Sequence, residues 1–472
     1  MSAARELVHG LASSCMIAAV FVAAYSPPVK SEAPAQTGSV IFIHPDGTSA
    51  AHWTAVRLLY TGPDGHLNWD RLPHLAVYRG HMIDRATATS NGGATVHAYG
   101  IKASQGAYGV QRSASGTGAG ASPAGGEPIS IMRRALDQGL RAGTVNSGTM
   151  VEPGTGCFLA AVAKRSDHAE IVRQLVASGA HVIFGGGEEW FLPEGVPGRH
   201  VASGRRTDGL DCVKEAERLG YTVIYTRDEL RRLPPGTDKV LGLFAGADTY
   251  NGLTEEVLAE RGLPPYNPEA PTVAEMTEAA LSVLDRPGNR FLLVVEEEGT
   301  DNFGNSNNAR DCLLALHRAD EAIGVARRFR ERRPDTLILT AADSDAGGLE
   351  VVGLVGSTDP NAPLAERSSN GAPQDGRDGT ATPPFLTAPD ASGKRWPFAV
   401  AWASPGDMTG GVVARAEGLN ARWLQIGVPP DRSVAPEGLA GAIDNTGIHS
   451  LMYYTLFGSW PKSAALPGET RP

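Results

Sequence analysis

Ser39-Val-Ile-Phe-Ile-His44, with the Pro45-Asp46-Gly47-Thr48-Ser49 that follows, decides the fold. The run through Ile43 is continuously apolar and β-branched, the composition of a strand buried on both faces. Such strands belong to parallel sheets covered by helices. The run ends in a carboxylate, and α/β sheets place their ligands at the carboxyl ends of their strands. Asp46 suits a ligand site, and equally a turn or the cap of the helix expected over 55–59.

Outward from this strand the same grammar repeats. Strands are expected at 76–83, 142–146, 181–184, 221–225, 239–244, 290–295, 335–340 and, last, 398–402. Helices are expected at 94–101, 129–138, 160–165, 168–178, 273–284, 309–330 and 446–457. Strand–helix alternation specifies an α/β fold, a three-layer sandwich with a large, mostly parallel central sheet flanked by helices. Residues 36–472 read as a single catalytic domain with two insertions. One, near 113–128, is a Gly/Ser/Pro-rich loop, and the other, 356–397, is a surface insertion or lid.

Composition narrows the class. A net charge of -10 argues against a nucleic-acid partner, while a local cation cluster could still reverse the field for an anionic substrate. Residues 1–35 read as a signal peptide and leader: Arg5, an apolar core over 16–24, then small residues through Ala33-Pro-Ala35. That core is too short to span a bilayer, so the mature chain is expected to lack a transmembrane helix and to be periplasmic or secreted. Removing it leaves Cys157, Cys212 and Cys312, an odd number that is no disulfide scaffold.

The chemistry gathers around Asp84-Arg-Ala-Thr-Ala-Thr-Ser90-Asn-Gly-Gly-Ala-Thr-Val-His97. Ser90 stands where a helix begins, and a helix N-terminus presents unpaired N–H groups that attract phosphate. Ser90 is therefore a candidate nucleophile, and equally a plain N-cap. Acidic residues stand at strand ends: Asp46, then Glu296-Glu-Glu298 with Asp301, then Asp343 and Asp345, with Glu152 on a loop after another strand. In a parallel sheet these ends share one edge. Converging carboxylates repel unless a multivalent cation offsets them, and paired cations suit phosphoryl transfer. Each acid alone reads as a solvated turn residue; together, beside a hydroxyl, they specify a metal-dependent phosphoesterase.

From about residue 39 to 458 the chain resembles the alkaline phosphatase family. The resemblance rests on Asp46-Gly47, Ser90 with Thr95, Gly100-Ile-Lys102, Gly106-Ala-Tyr-Gly-Val110, Val295 to Asp301, Leu339-Thr-Ala-Ala-Asp343 and Ala442-Ile-Asp444-Asn-Thr446. It implies phosphomonoester hydrolysis through a phosphoserine on Ser90 at a three-metal site. By position, Arg165 resembles the arginine that grips phosphate, Asp46 a metal bridge and Glu152 a magnesium-side carboxylate. Glu296 and Glu298 both suit the magnesium-side glutamate, the first by its spacing to Asp301 and the second by its Glu-Gly pair. Asp301 and Asp343 resemble ligands of the two zinc sites, followed by Asn305 and Ser344 at ligand positions. The family also implies a homodimer.

The departures are specific. Asn305, Ser344 and Met408 stand where the family has histidines, and Gly154 where it has a threonine, with Thr155 next door. Asp407 and Asp345 are the carboxylates at hand to compensate. An oxygen-rich set suits magnesium, calcium or manganese better than zinc. His44 shares a strand face with Asp46, so it is either a ligand or a packed histidine, and its apolar surroundings favour packing. The readings that follow are a metal-dependent phosphomonoesterase, a phosphodiesterase or sulfatase-like hydrolase of the same superfamily, or a non-catalytic metal- or anion-binding relative.

Overall fold

Strand β1 (Ser39–Pro45) is buried along its whole length. Successive side chains of a strand point to opposite faces, so Val40 and Phe42 enter one hydrophobic core while Ile41 and Ile43 enter another. The computed structural model describes residues 36–110, 129–356, 358–427 and 440–461, which lie within one compact unit, Gln36–Pro472. The signal peptide and leader expected over 1–35 and the insertion expected near 113–128 lie outside the described residues.

After β1 come β2 (His74–Arg79), β3 (Arg141–Thr149), β4 (Val182–Gly186), β5 (Thr222–Ile224) and β6 (Val240–Leu243). Then follow β7 (Phe291–Glu297), β8 (Thr336–Thr340), β9 (Leu349–Gly353), β10 (Gln374–Gly376) and β11 (Gly379–Thr380). The last are β12 (Phe385–Leu386), β13 (Pro397–Trp402), β14 (Val413–Gly418) and β15 (Ala442–Asp444). Among the described residues a ten-stranded sheet runs β15-β2-β14-β8-β1-β7-β3-β4-β6-β5. All its pairings are parallel except those of β14. Helices Ser90–Tyr99, Ile131–Asp137, His168–Val176 and Asn445–Phe457 cover the Val40 face. Helices Ala50–Tyr60, Val273–Leu284 and Ala309–Arg332 cover the other. This is the three-layer α/β sandwich that the strand–helix alternation specifies.

Three local expectations are corrected. Residues 160–165 are not helical; the helix is one short turn earlier, Pro153–Gly156. Tertiary partners take the backbone groups a helix would have used. The Gln174 side chain bonds both the N–H and the carbonyl of Ala161, at 2.9 and 3.0 Å, and Val162 N–H donates to Tyr108 O at 3.0 Å. Residues 356–397 are not a bare loop, because β10, β11 and β12 join β13 and β9 in a second, antiparallel sheet. β13 is therefore neither part of the main sheet nor the last strand. β14 and β15 follow it, and β14 was hard to read because alanines, Ala414 and Ala416, fill its buried positions.

Two resemblance motifs meet in space. Lys102 Nζ lies 2.9 Å from Asp444 Oδ2 with both side chains buried, and also donates to His81 O at 2.8 Å. This ties the segment after the Ser90 helix to the strand before the last helix. Removing one partner of a buried pair strands the other charge, at about 3–5 kcal/mol. Lys102→Met should accordingly lower the denaturation midpoint sharply, and adding Asp444→Asn should recover part of the loss. A double variant as unstable as the single one would show that the charge pair is not the cause.

Candidate active site

The sheet register brings the acidic strand ends together. His44 of β1 lies opposite Glu296 of β7, Glu296 lies opposite Asn146 of β3, and Thr340 of β8 lies opposite Ile43. Asp46, Glu296, Glu298, Asp301 and Asp343 are all buried at this edge. Two overlapping groups of donor atoms form there, His44 with Asp46 and Glu296, and Asp46 with Glu298 and Asp301. Within each group the atoms lie within 4.8 Å of one another, and Asp46 is common to both. Glu296 and Glu298 thus both enter the cluster. Glu297, between them, turns the other way and accepts from Ser147 Oγ at 2.6 Å and Tyr266 O–H at 2.9 Å.

Several of these buried atoms have no hydrogen-bond partner: Asp46 Oδ2, Glu296 Oε1, Glu298 Oε2 and both oxygens of Asp343. Buried polar atoms are normally paired, and an unpaired carboxylate oxygen is costly. Hard, mostly anionic donors left open and aimed together fit divalent cations. Burial, first of all, raises the carboxyl pKa values. Glu296 is pushed up to about 8, and Glu298, Asp301 and Asp343 well above the carboxylate range, with neighbouring carboxylates adding to the rise.

Ser90 opens the helix Ser90–Tyr99, and the cap is Thr89, whose Oγ1 accepts from Gly92 N–H at 3.4 Å. The plain-cap alternative therefore belongs to Thr89. A Cβ on Gly93 would sit 2.4 Å from Asp343 Cβ, so glycine there lets the first helical turn rest directly on the acidic edge. Arg165 reaches the same turn from its loop, with Nη1 donating to Asn91 Oδ1 at 3.0 Å. Its Nη2 donates to Glu152 Oε2. Ser90, Arg165 and the carboxylates thus occupy one neighbourhood.

Other expected site residues do different work. Glu152 belongs to neither donor group; its carboxylate holds Arg165, because that guanidinium is the cation beside it. Asn305 lies at the end of the helix Gly299–Asn305, which is not among the helices expected from the sequence. Its Nδ2 donates to both oxygens of Asp301, at 3.1 and 3.0 Å, and to Asp407 Oδ1 at 3.0 Å, while its Oδ1 accepts from Gly347 N–H at 3.1 Å. It presents donors to the carboxylates and not an oxygen to a cation. Ser344 Oγ is buried beside Asp343 without a partner, which leaves it open as a ligand. Met408 is half-exposed and its backbone bridges Asp345.

Two residues at the centre were passed over or left open by sequence reasoning. His44 was judged a packing residue, yet its Nε2 lies 3.2 Å from Asp46 Oδ1. The signal was its position two residues before Asp46 on one strand face. Asn146 orders Glu296, donating to Oε2 at 2.5 Å and to Thr155 Oγ1 at 2.9 Å. Nothing in its sequence surroundings marks it.

Comparison with known proteins identifies the family and the fold. The family model described as alkaline phosphatase matches residues 38–367. An alkaline phosphatase of Gadus morhua is 29% identical over 330 residues, covering 63% of this chain and 67% of its own length. The membrane-bound alkaline phosphatase of Bombyx mori is 27% identical over 366 residues, covering 68% and 64%. The chain thus spans about two thirds of the curated relatives it matches, or slightly less. Among solved structures, Thermus thermophilus alkaline phosphatase has the same fold, with a TM-score of 0.67 at 20% identity over 93% of this chain and 97% of that one. Alkaline phosphatase from the Antarctic bacterium TAB5 aligns with a TM-score of 0.63 at 16% identity, over 89% and 98%. No helix among the described residues is long and apolar enough to cross a membrane.

The raised carboxyls make cation binding and stability depend on pH together. Glu296 moves from an ordinary 4.5 to about 8 when folded, so the metal-free fold favours the neutral acid. Its contribution is intact below 4.5 and is lost progressively as pH rises through 8. Bound cations favour the ionised form and reverse that loss. Chelation should therefore lower the melting temperature by several degrees at pH 8 and hardly at all near pH 4.5. Melts with and without EDTA check this; a pH-independent drop would exclude these carboxylates as the ligands.

Proposed function

The chain belongs to the alkaline phosphatase family, and on that premise we propose that it is a metal-dependent phosphomonoesterase with Ser90 as nucleophile. The observation that carries the reading is the seating of the Ser90 helix on the acidic edge through Gly93, with Arg165 bonded to Asn91 beside the serine.

Ser90 Oγ forms a bond to phosphorus as the ester oxygen leaves, and hydrolysis of the phosphoserine restores the hydroxyl. The first-turn N–H groups of its helix face the developing negative charge. Arg165 can turn its N–H groups to two phosphoryl oxygens, and Glu152 holds the guanidinium in place between turnovers. When bound, divalent cations supply positive charge that favours the serine alkoxide and screens the phosphate. Asp46, Glu296, Glu298, Asp301, Asp343 and Ser344 are the residues that would hold them. With Asn305, Ser344 and Met408 in place of imidazoles, the all-oxygen positions suit magnesium, manganese or calcium better than zinc. The stretch 1–35 would direct the enzyme to the periplasm or outside the cell, and family habit suggests a homodimer.

Hydrolysis of a phosphate monoester by purified protein, stripped and reloaded with Mg, Mn, Ca or Zn singly, tests the proposal. Ser90→Ala should abolish turnover. Arg165→Ala removes charge-assisted hydrogen bonds of roughly 1.5–3 kcal/mol, about ten- to a hundredfold in kcat/KM. Turnover surviving Ser90→Ala would sink the nucleophile assignment, and faster cleavage of a phosphodiester or sulfate ester would move the enzyme to another branch of the superfamily. No turnover with any of the four metals would favour a binding protein.

A further inference from the structure

Among the described residues His44 is the imidazole that enters a donor group at the acidic edge, and its environment resembles a ligand's more than a packing residue's. Its Nδ1 meets Ala341 O at 2.8 Å, the backbone carbonyl just past β8. A carbonyl only accepts, so that nitrogen carries a proton, and a neutral ring bonded this way offers the lone pair of Nε2. Metal-ligating histidines are characteristically oriented by such a bond on the other ring nitrogen. Nε2 is buried, makes no hydrogen bond, and points between Asp46 Oδ1 at 3.2 Å and Glu296 Oε1 at 4.0 Å. Donors about 2.1 Å from a shared cation stand roughly 3–4 Å from one another. Two of the facing atoms on the same edge, Asp46 Oδ2 and Glu296 Oε1, are also without partners.

The surroundings hold this geometry. The His44 ring is braced edge-on by His97, with centroids 5.5 Å apart, and tilted against Phe42 at 5.8 Å. His97 does not compete for the site, because its own Nε2 is bonded to Tyr78 O–H at 2.8 Å. Glu296 is anchored through Oε2 by Asn146, which leaves Oε1 turned to His44. That pose needs a residue without a side chain at 154: a Cβ on Gly154 would fall 1.6 Å from Glu296 Oε1. Gly154 and His44 thus make sense as a pair, one giving Glu296 room and the other meeting it.

We propose that His44 Nε2, Asp46 and Glu296 together bind a divalent first-row transition cation, while Asp46, Glu298 and Asp301 form an adjoining all-oxygen site for a harder cation. This deepens the metal-dependent reading above and rests on it. An imidazole in the donor set favours iron or zinc over magnesium and calcium, whereas carboxylates alone favour magnesium, calcium or manganese, the last also able to enter the mixed site. The chain therefore keeps an imidazole ligand, carried on the buried strand β1 and not at 305, 344 or 408.

The test is pulsed electron paramagnetic resonance of the full chain, stripped and reloaded with Mn(II). Wild type should show nitrogen-14 modulation from a directly bound imidazole. His44→Gln should lose it and bind Mn(II) about tenfold or more weakly by calorimetry. Should that variant fail to fold, Glu296→Gln serves, since losing a ligand of the same cation should remove the nitrogen signal too. Modulation persisting in either folded variant would overturn the proposal. Wild-type Mn(II) binding without modulation would overturn the His44 assignment and leave the metal-dependent reading standing. A wild-type chain that binds no divalent cation would overturn both.

Discussion

Carboxylates of one sign, buried together at the carboxyl edge of a parallel sheet, are the constraint on which the rest of the site depends. Two unit charges about 4 Å apart repel by roughly 4 kcal/mol even at an effective dielectric of about 20. Asp46, Glu296, Glu298, Asp301 and Asp343 cannot all be ionised there without compensation. Two compensations are open to the fold: protons, which the raised pKa values express, or cations, which the unpartnered oxygens are placed to receive. The sheet forces the choice, since it holds all five acids buried at one edge, where bulk water does not screen them.

The neighbours of the acids answer the same constraint. Where the Ser90 helix meets Asp343 the residue is Gly93, and where the short helix Pro153–Gly156 meets Glu296 it is Gly154. Larger side chains would drive the carboxylates apart and open the edge to water. Hydrogen-bond donors are spent where repulsion is worst. One Asn305 amide serves both Asp301 and Asp407, and one Asn146 amide fixes Glu296. Arg165 adds a full positive charge but is held by Glu152, so an anion arriving there would have to share it or displace that bond.

Much of this was legible in the sequence, and the boundary has physical causes. Strands β1, β7 and β8 announce themselves because burial on both faces demands unbroken apolar residues, and each has an acid at its end or within three residues of it, by which the edge can be found. The helix Val273–Leu284 was placed to the residue, and the Thr272/Glu275 capping box seen in the structure is a local signal that fixes its start. The helix misread at 160–165 failed because its backbone groups are claimed by Gln174 and Tyr108, contacts that local pattern does not encode. Asn305 failed differently: its position was right, but which way an amide turns depends on Asp407, about a hundred residues away, and on Gly347. β14 escaped notice because small alanines suffice where a strand is wedged between neighbours.

The distribution of nitrogen and oxygen donors follows from where rigidity is available. Positions 305, 344 and 408 lie at a helix end and on loops, where the Asn305 amide donates to Asp407 and Asp301. His44 instead lies inside β1, paired on both sides by β7 and, through Ile43, β8. Its orienting bond to Ala341 spans from β1 to the chain leaving β8, so the imidazole is set by the sheet itself. A ligand fixed by paired strands loses little entropy on meeting a cation, whereas one on a loop must be ordered first. The imidazole therefore stands where the backbone already holds it still, and the loops are left with oxygen ligands that tolerate looser geometry.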